Sequence, residues 1–209
     1  MTSVPPDESI IFHYLAFPEL LAVLQNKKMW FTRLGEFRKD PQEGCIALPP
    51  NANERAVNAA ALVEPVMKLK CASCWTLDEG LSDLMWLGYR PHFGVAIEST
   101  VGNLKRSFPN VSNPHLLSFS PMHYGSPQTG GFQLVAKRAR YSRDKEYRVM
   151  YSEPGLRDHK GIAVPVDLDT LIIGIWVSPH GCGSWFAEVV RREIEIYLPN
   201  VRVAQDSFD

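Results

Sequence analysis

The amino-acid sequence predicts one α+β domain, with a central, mostly antiparallel β-sheet and helices that flank it. Three observations support this prediction. Apolar, β-rich runs dominate the chain, amphipathic helical patterns are interleaved with them unevenly, and no linker, repeat or low-complexity segment divides the chain. The 209 residues are enough for a single domain with a substantial core. We expect that domain to span residues 1–209, with an ordered core over about 10–204.

The first elements of the chain form a strand–helix–strand unit. Ile10–Leu15 is rich in β-formers and predicts a strand. A helix is predicted from Phe17 to Lys27, because Pro18 suits a first helical turn and apolar residues recur at helical spacing. Met29–Arg33 predicts the second strand.

The middle of the chain alternates between helices and strands. Phe37–Pro50 is rich in turn residues and predicts a loop, and Pro65 is expected to break or kink the helix after that loop. The other predicted elements here are a helix at Asn53–Lys70, a strand at Cys71–Thr76, a short helix at Asp78–Gly88, a strand at Phe93–Glu98 and a helix at Val101–Ser107 capped by Ser99 or Thr100.

The last part of the chain begins with a predicted loop at Pro109–Gln128, which contains a short strand at His115–Phe119. Phe132–Arg138 and Glu146–Tyr151 then alternate like two paired strands around an exposed basic turn. The remaining predicted elements are a buried strand at Leu171–Ser178, an amphipathic helix at Ser184–Tyr197 and a final strand at Val201–Ala204.

The composition argues against several classes of protein. A formal charge of −1 is unlike that of a dedicated nucleic-acid coat or a polybasic membrane binder. No apolar run reaches the roughly 18–20 residues of a spanning helix, and the N-terminus lacks the features of a signal peptide. We therefore expect a cytoplasmic protein with no membrane partner. Cys71 and Cys74 have the spacing of a zinc site, but we favour buried hydrophobic roles and expect no metal.

Several short motifs follow one another in a fixed order along the chain. They are Arg33, Asp40-Pro41 with Glu43-Gly44, Cys74-Trp75, Asp83 with Met85-Trp86, Gly94–Ile97, Lys137, Glu146–Arg148 and Val177–Pro179. In this order the sequence resembles the bacterial "domain of unknown function 2971" family, over almost the entire chain from Ile11 to Val203. The family name implies no activity.

A more distant resemblance links the chain to an enzyme family. The opening Phe12–Tyr14 strand and its helix, Cys74-Trp75, Asp83–Trp86 and the late Glu146–Arg148 strand are similar, in order, to motifs of DarT-like ADP-ribosyltransferases. The resemblance implies an ADP-ribosyltransferase-like split sheet, NAD as the substrate, and a role as a toxin or phage-defence effector. It leaves open which antitoxin or partner protein restrains the chain.

The sequence also departs from that family. Lys27-Lys28 replaces the glycine-led turn that usually follows the first helix. A single glutamate, Glu146, is preceded by Lys145, so the Glu-x-Glu pair of the arginine-modifying enzymes is absent. The resemblance therefore implies an acceptor other than arginine, such as nucleic acid.

Roles for individual residues follow from this resemblance. Glu146 would stabilise the oxocarbenium-like transition state, and the alternative is an ion pair with Arg148 or Lys137. Arg33 would contact the pyrophosphate, and the alternative is an ion pair that orders the following loop. His13 would hydrogen-bond a ribose hydroxyl. The remaining cofactor-binding candidates, for which core packing is the alternative, are Tyr14, Trp75, Trp86 and Tyr89.

Two other functions remain open. The basic residues before Glu146 could guide a nucleic-acid backbone, or the whole chain could be a non-catalytic domain that binds nucleic acid or protein. These basic residues are Lys137, Arg138, Arg140 and Arg143. A metal-dependent nuclease ranks last, because its candidate residues match no nuclease template. Those residues are Asp40, Glu43, Glu98 and Lys137.

Overall fold

A computed structural model describes most of the chain. The described residues are 4–37, 51, 53–61, 69–78, 80–89, 92–109, 111, 113–125, 136–137, 139–152, 159–180 and 183–206. The chain divides into two compact units. The first comprises Met1–Val4, Trp30–Cys74 and Ser112–Ala163, and the second comprises Pro5–Met29, Trp75–Val111 and Val164–Asp209. A single domain over residues 1–209 stays a prediction.

Strands and helices are interleaved along the chain. The strands are β1 (Ile10–Ala16), β2 (Lys28–Arg33), β3 (Lys70–Leu77), β4 (Gly94–Thr100), β5 (Leu117–Pro121), β6 (His123–Tyr124), β7 (Ala136–Lys137), β8 (Glu146–Ser152), β9 (Gly161–Pro165), β10 (Gly174–Val177) and β11 (Arg202–Gln205). The helices are α1 (Phe17–Asn26), α2 (Glu54–Ala61), α3 (Asp83–Tyr89), α4 (Val101–Arg106), α5 (Leu168–Leu171) and α6 (Ser184–Tyr197). Short 3₁₀ helices lie at Leu34–Glu36, Pro114–Leu116 and Ala139–Asp144.

The second unit is built on antiparallel pairs. β1 pairs antiparallel with β4, from Ile10 opposite Thr100 to Ala16 opposite Gly94, and β4 pairs antiparallel with β10. β10 pairs with β11 in parallel. Because most pairs are antiparallel and helices flank them, the predicted α+β class with a mostly antiparallel sheet is confirmed.

Local signals explain where the helices of this unit begin and end. The Glu19 carboxylate accepts the N–H of Ala16 at 2.8 Å, and Lys27, in the left-handed conformation with φ 50°, ends α1. Thr100 Oγ1 accepts the N–H of Asn103 at 3.0 Å, which confirms the predicted cap of α4. The inward face of α6 consists of Phe186, Ala187, Val190 and Ile194.

The first unit contains further strand pairs and a buried cluster. β2 pairs antiparallel with β3, and β8 pairs with β3 and antiparallel with β5. Leu34, Ala72 and Met150 form a buried cluster in this unit. Among the described residues, no helix is both long enough and apolar enough to cross a bilayer.

Two predictions about local structure need correction, and one strand was not predicted. β8 does not pair with a strand at 132–138 in the described part of the chain; it pairs with β3 and β5, and Ala139–Asp144 forms a 3₁₀ helix. The strand predicted at Leu171–Ser178 is present but shorter, as β10 at Gly174–Val177. Leu171 instead ends α5, whose first turn is capped by Asp167, which accepts the N–H of Asp169 at 3.2 Å. β9 was not predicted; a side chain at Gly161 would collide with the carbonyl of Phe31.

Two further predictions extend beyond the described residues. The loop at 37–50 lies outside them after its first residue. The helix predicted at 53–70 is present as α2, and residues 62–68 also lie outside them, so the break at Pro65 stays a prediction.

Candidate functional site

Glu146 lies at the first position of β8, in the first unit. The chain enters β8 through Lys145, which adopts the left-handed conformation with φ 41° and so turns sharply out of the 3₁₀ helix. The backbone N–H of Glu146 donates to Tyr124 Oη at 2.6 Å, and its carbonyl accepts the N–H of Met122 at 2.8 Å. These backbone bonds fix the position of a residue that is only 5% exposed.

The carboxylate of Glu146 is held by two cations. Arg148 Nε donates to Oε1, and Lys137 Nζ donates to Oε2. Glu146 and Arg148 meet because residues two apart on a strand lie on the same face. Lys137 also lies 3.5 Å from Asp144 Oδ2. The result is an acidic–basic cluster around a fully buried guanidinium, since Arg148 is 0% exposed.

Cys74 of β3 completes this cluster, because β3 pairs with β8. Its thiol hydrogen-bonds the Glu146 carboxylate. Burial, together with the Glu146 charge, raises the pKa of Cys74 well above its ordinary value. Burial likewise raises the pKa of Tyr124. Near neutral pH both groups therefore keep their protons.

The ionisation state of Glu146 decides what it can do chemically. Burial acts to raise the pKa of Glu146, but the charges of Arg148 and Lys137 and the hydrogen bonds of Arg148 and Cys74 outweigh it. The pKa falls from 4.5 to about 2. At neutral pH the group is a carboxylate without a proton, which suits the stabilisation of positive charge and does not suit general acid catalysis.

This lowered pKa predicts a loss of stability in acid. Because the pKa of Glu146 is lower in the folded protein, its contribution is complete above pH 4.5 and disappears as the pH falls towards 2. A shift of this size corresponds to about 3 kcal/mol in the free energy of unfolding. Urea denaturation between pH 5 and pH 2 measures it, and Glu146→Gln should flatten the pH dependence.

The exposed Glu195 provides the control for that measurement. Glu195→Gln should keep the pH dependence of the wild type, because this side chain lies on the outer face of α6. Equal pH dependence in wild type and Glu146→Gln would contradict the role given to the buried carboxylate.

Arg33 lies at the end of β2, also in the first unit. Its Nη2 donates to Glu36 Oε1 at 2.7 Å, within the 3₁₀ turn that follows. This contact favours the alternative in which Arg33 orders the following loop, and contact with a pyrophosphate stays a prediction.

The predicted cofactor-binding residues lie in the second unit. His13 is half-buried and stacks on Trp75, with ring centroids 5.0 Å apart. Trp75 is 1% exposed and Trp86 is 0% exposed, and Trp86 Nε1 donates to Asp206 Oδ2 at 2.8 Å. The Tyr14 ring meets Trp86 edge to face, and its hydroxyl accepts the N–H of Ser82 at 3.1 Å.

The burial of these indoles favours core packing over stacking on a ligand. Stacking by Trp75 and Trp86 stays a prediction, as does the ribose contact of His13. Tyr89 ends α3, and its side chain lies outside the described residues.

The predicted basic residues have different surroundings. Lys137 is engaged by Glu146 and Asp144. Arg140 and Arg143 are exposed on the 3₁₀ helix before β8, and Arg140 lies over the ring of Tyr141, 4.8 Å from its centroid. Arg138 lies outside the described residues. Of the four predicted basic residues, Arg140 and Arg143 are therefore the two that the described structure exposes.

Two members of the cluster, Tyr124 and Asp144, were not predicted from the sequence. Asp144 carried a usable signal, because a carboxylate two residues before Glu146 within a basic run can share a lysine. Tyr124 carried no signal in the sequence, because its contact with Glu146 depends on how separate segments of the chain pack together.

No group of three or more histidine, cysteine, aspartate or glutamate side chains suited to a metal ion occurs among the residues the structure covers. Glu98, a nuclease candidate, lies in the second unit and accepts the Trp176 indole N–H at 2.6 Å. Asp40 and Glu43, the other carboxylates of that hypothesis, lie outside the described residues.

Comparison with solved structures finds Thermus sp. 2.9 DarT in three complexes. The complex with NAD⁺ shares 12% identity at a TM-score of 0.48, covering 97% of this chain and 98% of that chain. The complex with carba-NAD⁺ shares 11% identity at a TM-score of 0.46, covering 97% of this chain and 97% of that chain. The complex with ADP-ribosylated single-stranded DNA shares 12% identity at a TM-score of 0.47, covering 99% of this chain and 98% of that chain.

The sequence matches no family model and no curated protein. The predicted resemblance to family 2971 therefore gains no support. For the predicted resemblance to DarT, the comparison finds DarT structures that are similar in fold to this chain. At these identities and TM-scores the similarity assigns no activity to this chain.

Proposed function

We propose that this chain is an NAD-dependent ADP-ribosyltransferase in which Glu146 is the catalytic carboxylate. The observation that supports the proposal is the buried Glu146 side chain, which Arg148 and Lys137 keep ionised. The order of motifs that resembles DarT-like enzymes gives the reaction class.

The proposed reaction breaks the bond between nicotinamide and ribose. The electron pair of that bond leaves with nicotinamide, and positive charge develops on the ribose carbon and its ring oxygen. A fixed carboxylate stabilises that charge and accepts a hydrogen bond from a ribose hydroxyl. An acceptor nucleophile then attacks the carbon and loses its proton.

Glu146 retains the capacity for such a contact. A carboxylate has about four lone-pair sites for hydrogen bonds. Arg148, Lys137 and Cys74 occupy three of them. The proposal assigns the fourth site to a ribose hydroxyl.

Nucleic acid is the acceptor class we propose. Arg140 and Arg143 are exposed on the turn that leads into Glu146, and Tyr141 lies between them. Cations beside an aromatic ring suit a phosphate backbone with unstacked bases. A toxin or phage-defence role and a restraining partner protein belong to the same proposal.

A non-catalytic binding domain is the second candidate, and the exposure of Arg140 and Arg143 favours it equally. Reversing both charges should weaken binding of single-stranded DNA and flatten its dependence on salt in either case. Only the enzyme proposal requires NAD⁺ as a ligand, so NAD⁺ separates the two candidates.

Calorimetric titration with NAD⁺ tests this requirement. We expect the wild type to bind NAD⁺ and His13→Ala to bind it about tenfold more weakly, a difference of roughly 1.4 kcal/mol. The exposed His115 gives a matched control, and His115→Ala should bind like the wild type. The absence of binding at millimolar NAD⁺ by folded protein would favour the binding domain instead.

A further inference from the structure

The outer face of α6 carries an exposed apolar stripe. Its apolar members are Trp185, Val189 and Ile196, and Arg192 lies between the last two; spacings of four, three and four residues place all four on one side of the helix. Trp185 is 58% exposed and Ile196 is 69% exposed. The inward face is already occupied by Phe186, Val190 and Ile194. The stripe is therefore a second apolar face on a helix whose first face is buried.

Phe93 extends the stripe beyond Trp185. The two rings lie 6.0 Å apart, and Phe93 is itself exposed. Phe93 adopts the left-handed conformation with φ 51°, which is unfavourable for a bulky residue, while its carbonyl accepts the N–H of Phe17 at 3.0 Å. The fold thus holds a large apolar ring at the surface in spite of backbone strain, a feature more often found at binding surfaces than elsewhere.

The charges along the stripe indicate which partner suits it. Glu188 lies beside the stripe and pairs with Arg191 and Arg192 of the same helix. These charges lie near the middle of the helix, and the largest exposed apolar residues, Trp185 and Ile196, lie towards its two ends. Such an arrangement is complementary to its own copy when the copy runs in the opposite direction.

We propose that α6 is a contact surface for a second copy of this chain, packed antiparallel about a two-fold axis that crosses the outer face halfway between Trp185 and Ile196. In that arrangement Trp185 meets Ile196 of the second copy, and Glu188 meets Arg192 of the second copy. A parallel arrangement would instead place Glu188 opposite Glu188. A two-fold contact uses the same surface on both copies, so each favourable contact occurs twice.

Sedimentation velocity of the full chain over rising concentration tests the proposal. We expect a monomer–dimer equilibrium in which Ile196→Asp weakens the dimer by about 100-fold. The substituted residue lies in the contact once on each copy, and each time it places a charge in an apolar contact. Leu87 gives a matched control, since it is a similarly exposed residue on α3. Leu87→Asp should leave the dimer unchanged.

A charge exchange tests the direction of pairing. Glu188→Arg and Arg192→Glu should each weaken the dimer by about fivefold, and the double variant should restore it, because the pair is then reversed on both copies. Circular dichroism would confirm that every variant is folded. A wild type that stays monomeric at all concentrations would overturn the proposal, even if it bound lipid vesicles or another protein through this stripe. A dimer that Ile196→Asp does not weaken would also overturn it.

Discussion

Replacing Arg148 by methionine is expected to lower the free energy of unfolding by about 3–5 kcal/mol, the cost of removing one partner from a buried ion pair. Arg148 is fully buried, donates to Glu146 through Nε, and packs over the ring of Phe37, 5.0 Å from its centroid. Methionine keeps much of the volume but removes the cation, so the Glu146 carboxylate remains buried with less compensation. Urea denaturation at pH 7 measures the effect.

A second substitution separates the lost ion pair from lost packing. In the double variant Glu146→Leu with Arg148→Met, both charges are absent, and Lys137 retains Asp144 as a partner. We expect the double variant to be less destabilised than the sum of the single variants by about 1–3 kcal/mol. The exposed Arg191 is the control, and Arg191→Met should change stability by less than about 0.5 kcal/mol. Additive effects of the two buried substitutions would show that the ion pair does not couple them.

The elements predicted best from sequence carry their own local signals. α1 combines a proline in its first turn with apolar residues at helical spacing, and α6 has a long amphipathic pattern. α5 and β9 were missed because each is short, and the features that mark them are local, the Asp167 cap in α5 and the close backbone approach at Gly161 in β9. Contacts of that kind leave little periodicity in the sequence.

The candidate site was predictable only in part. Glu146 and Arg148 are two residues apart on a β-pattern, so an ion pair between them was one of the two interpretations the sequence offered. The burial of that ion pair and the position of Cys74 beside it depend on the pairing of β3 with β8, and these two strands are distant in sequence. The sequence also did not show which tryptophans are buried. Trp75 and Trp86 are buried, whereas Trp30 and Trp185 are exposed, and the local sequences around the two pairs do not distinguish buried from exposed positions.

Substitution of Glu146 is expected to have the largest effect on activity. Glu146→Asp keeps the charge that Arg148 and Lys137 require but withdraws the carboxylate by one methylene. We therefore expect it to cost less stability than Glu146→Gln and still to slow the reaction by about 100-fold or more, as expected for the loss of a positioned electrostatic group. Glu195→Asp, an exposed substitution of the same kind, should leave the rate unchanged.

Release of nicotinamide from NAD⁺, measured in the presence of single-stranded DNA, tests the proposed function most directly. We expect the wild type to release nicotinamide and to add ADP-ribose to the acceptor, and folded Glu146→Asp to do so at about one-hundredth of that rate or less. Equal rates for the wild type and folded Glu146→Asp, or no nicotinamide release by the wild type, would contradict the assignment of Glu146 as the catalytic carboxylate.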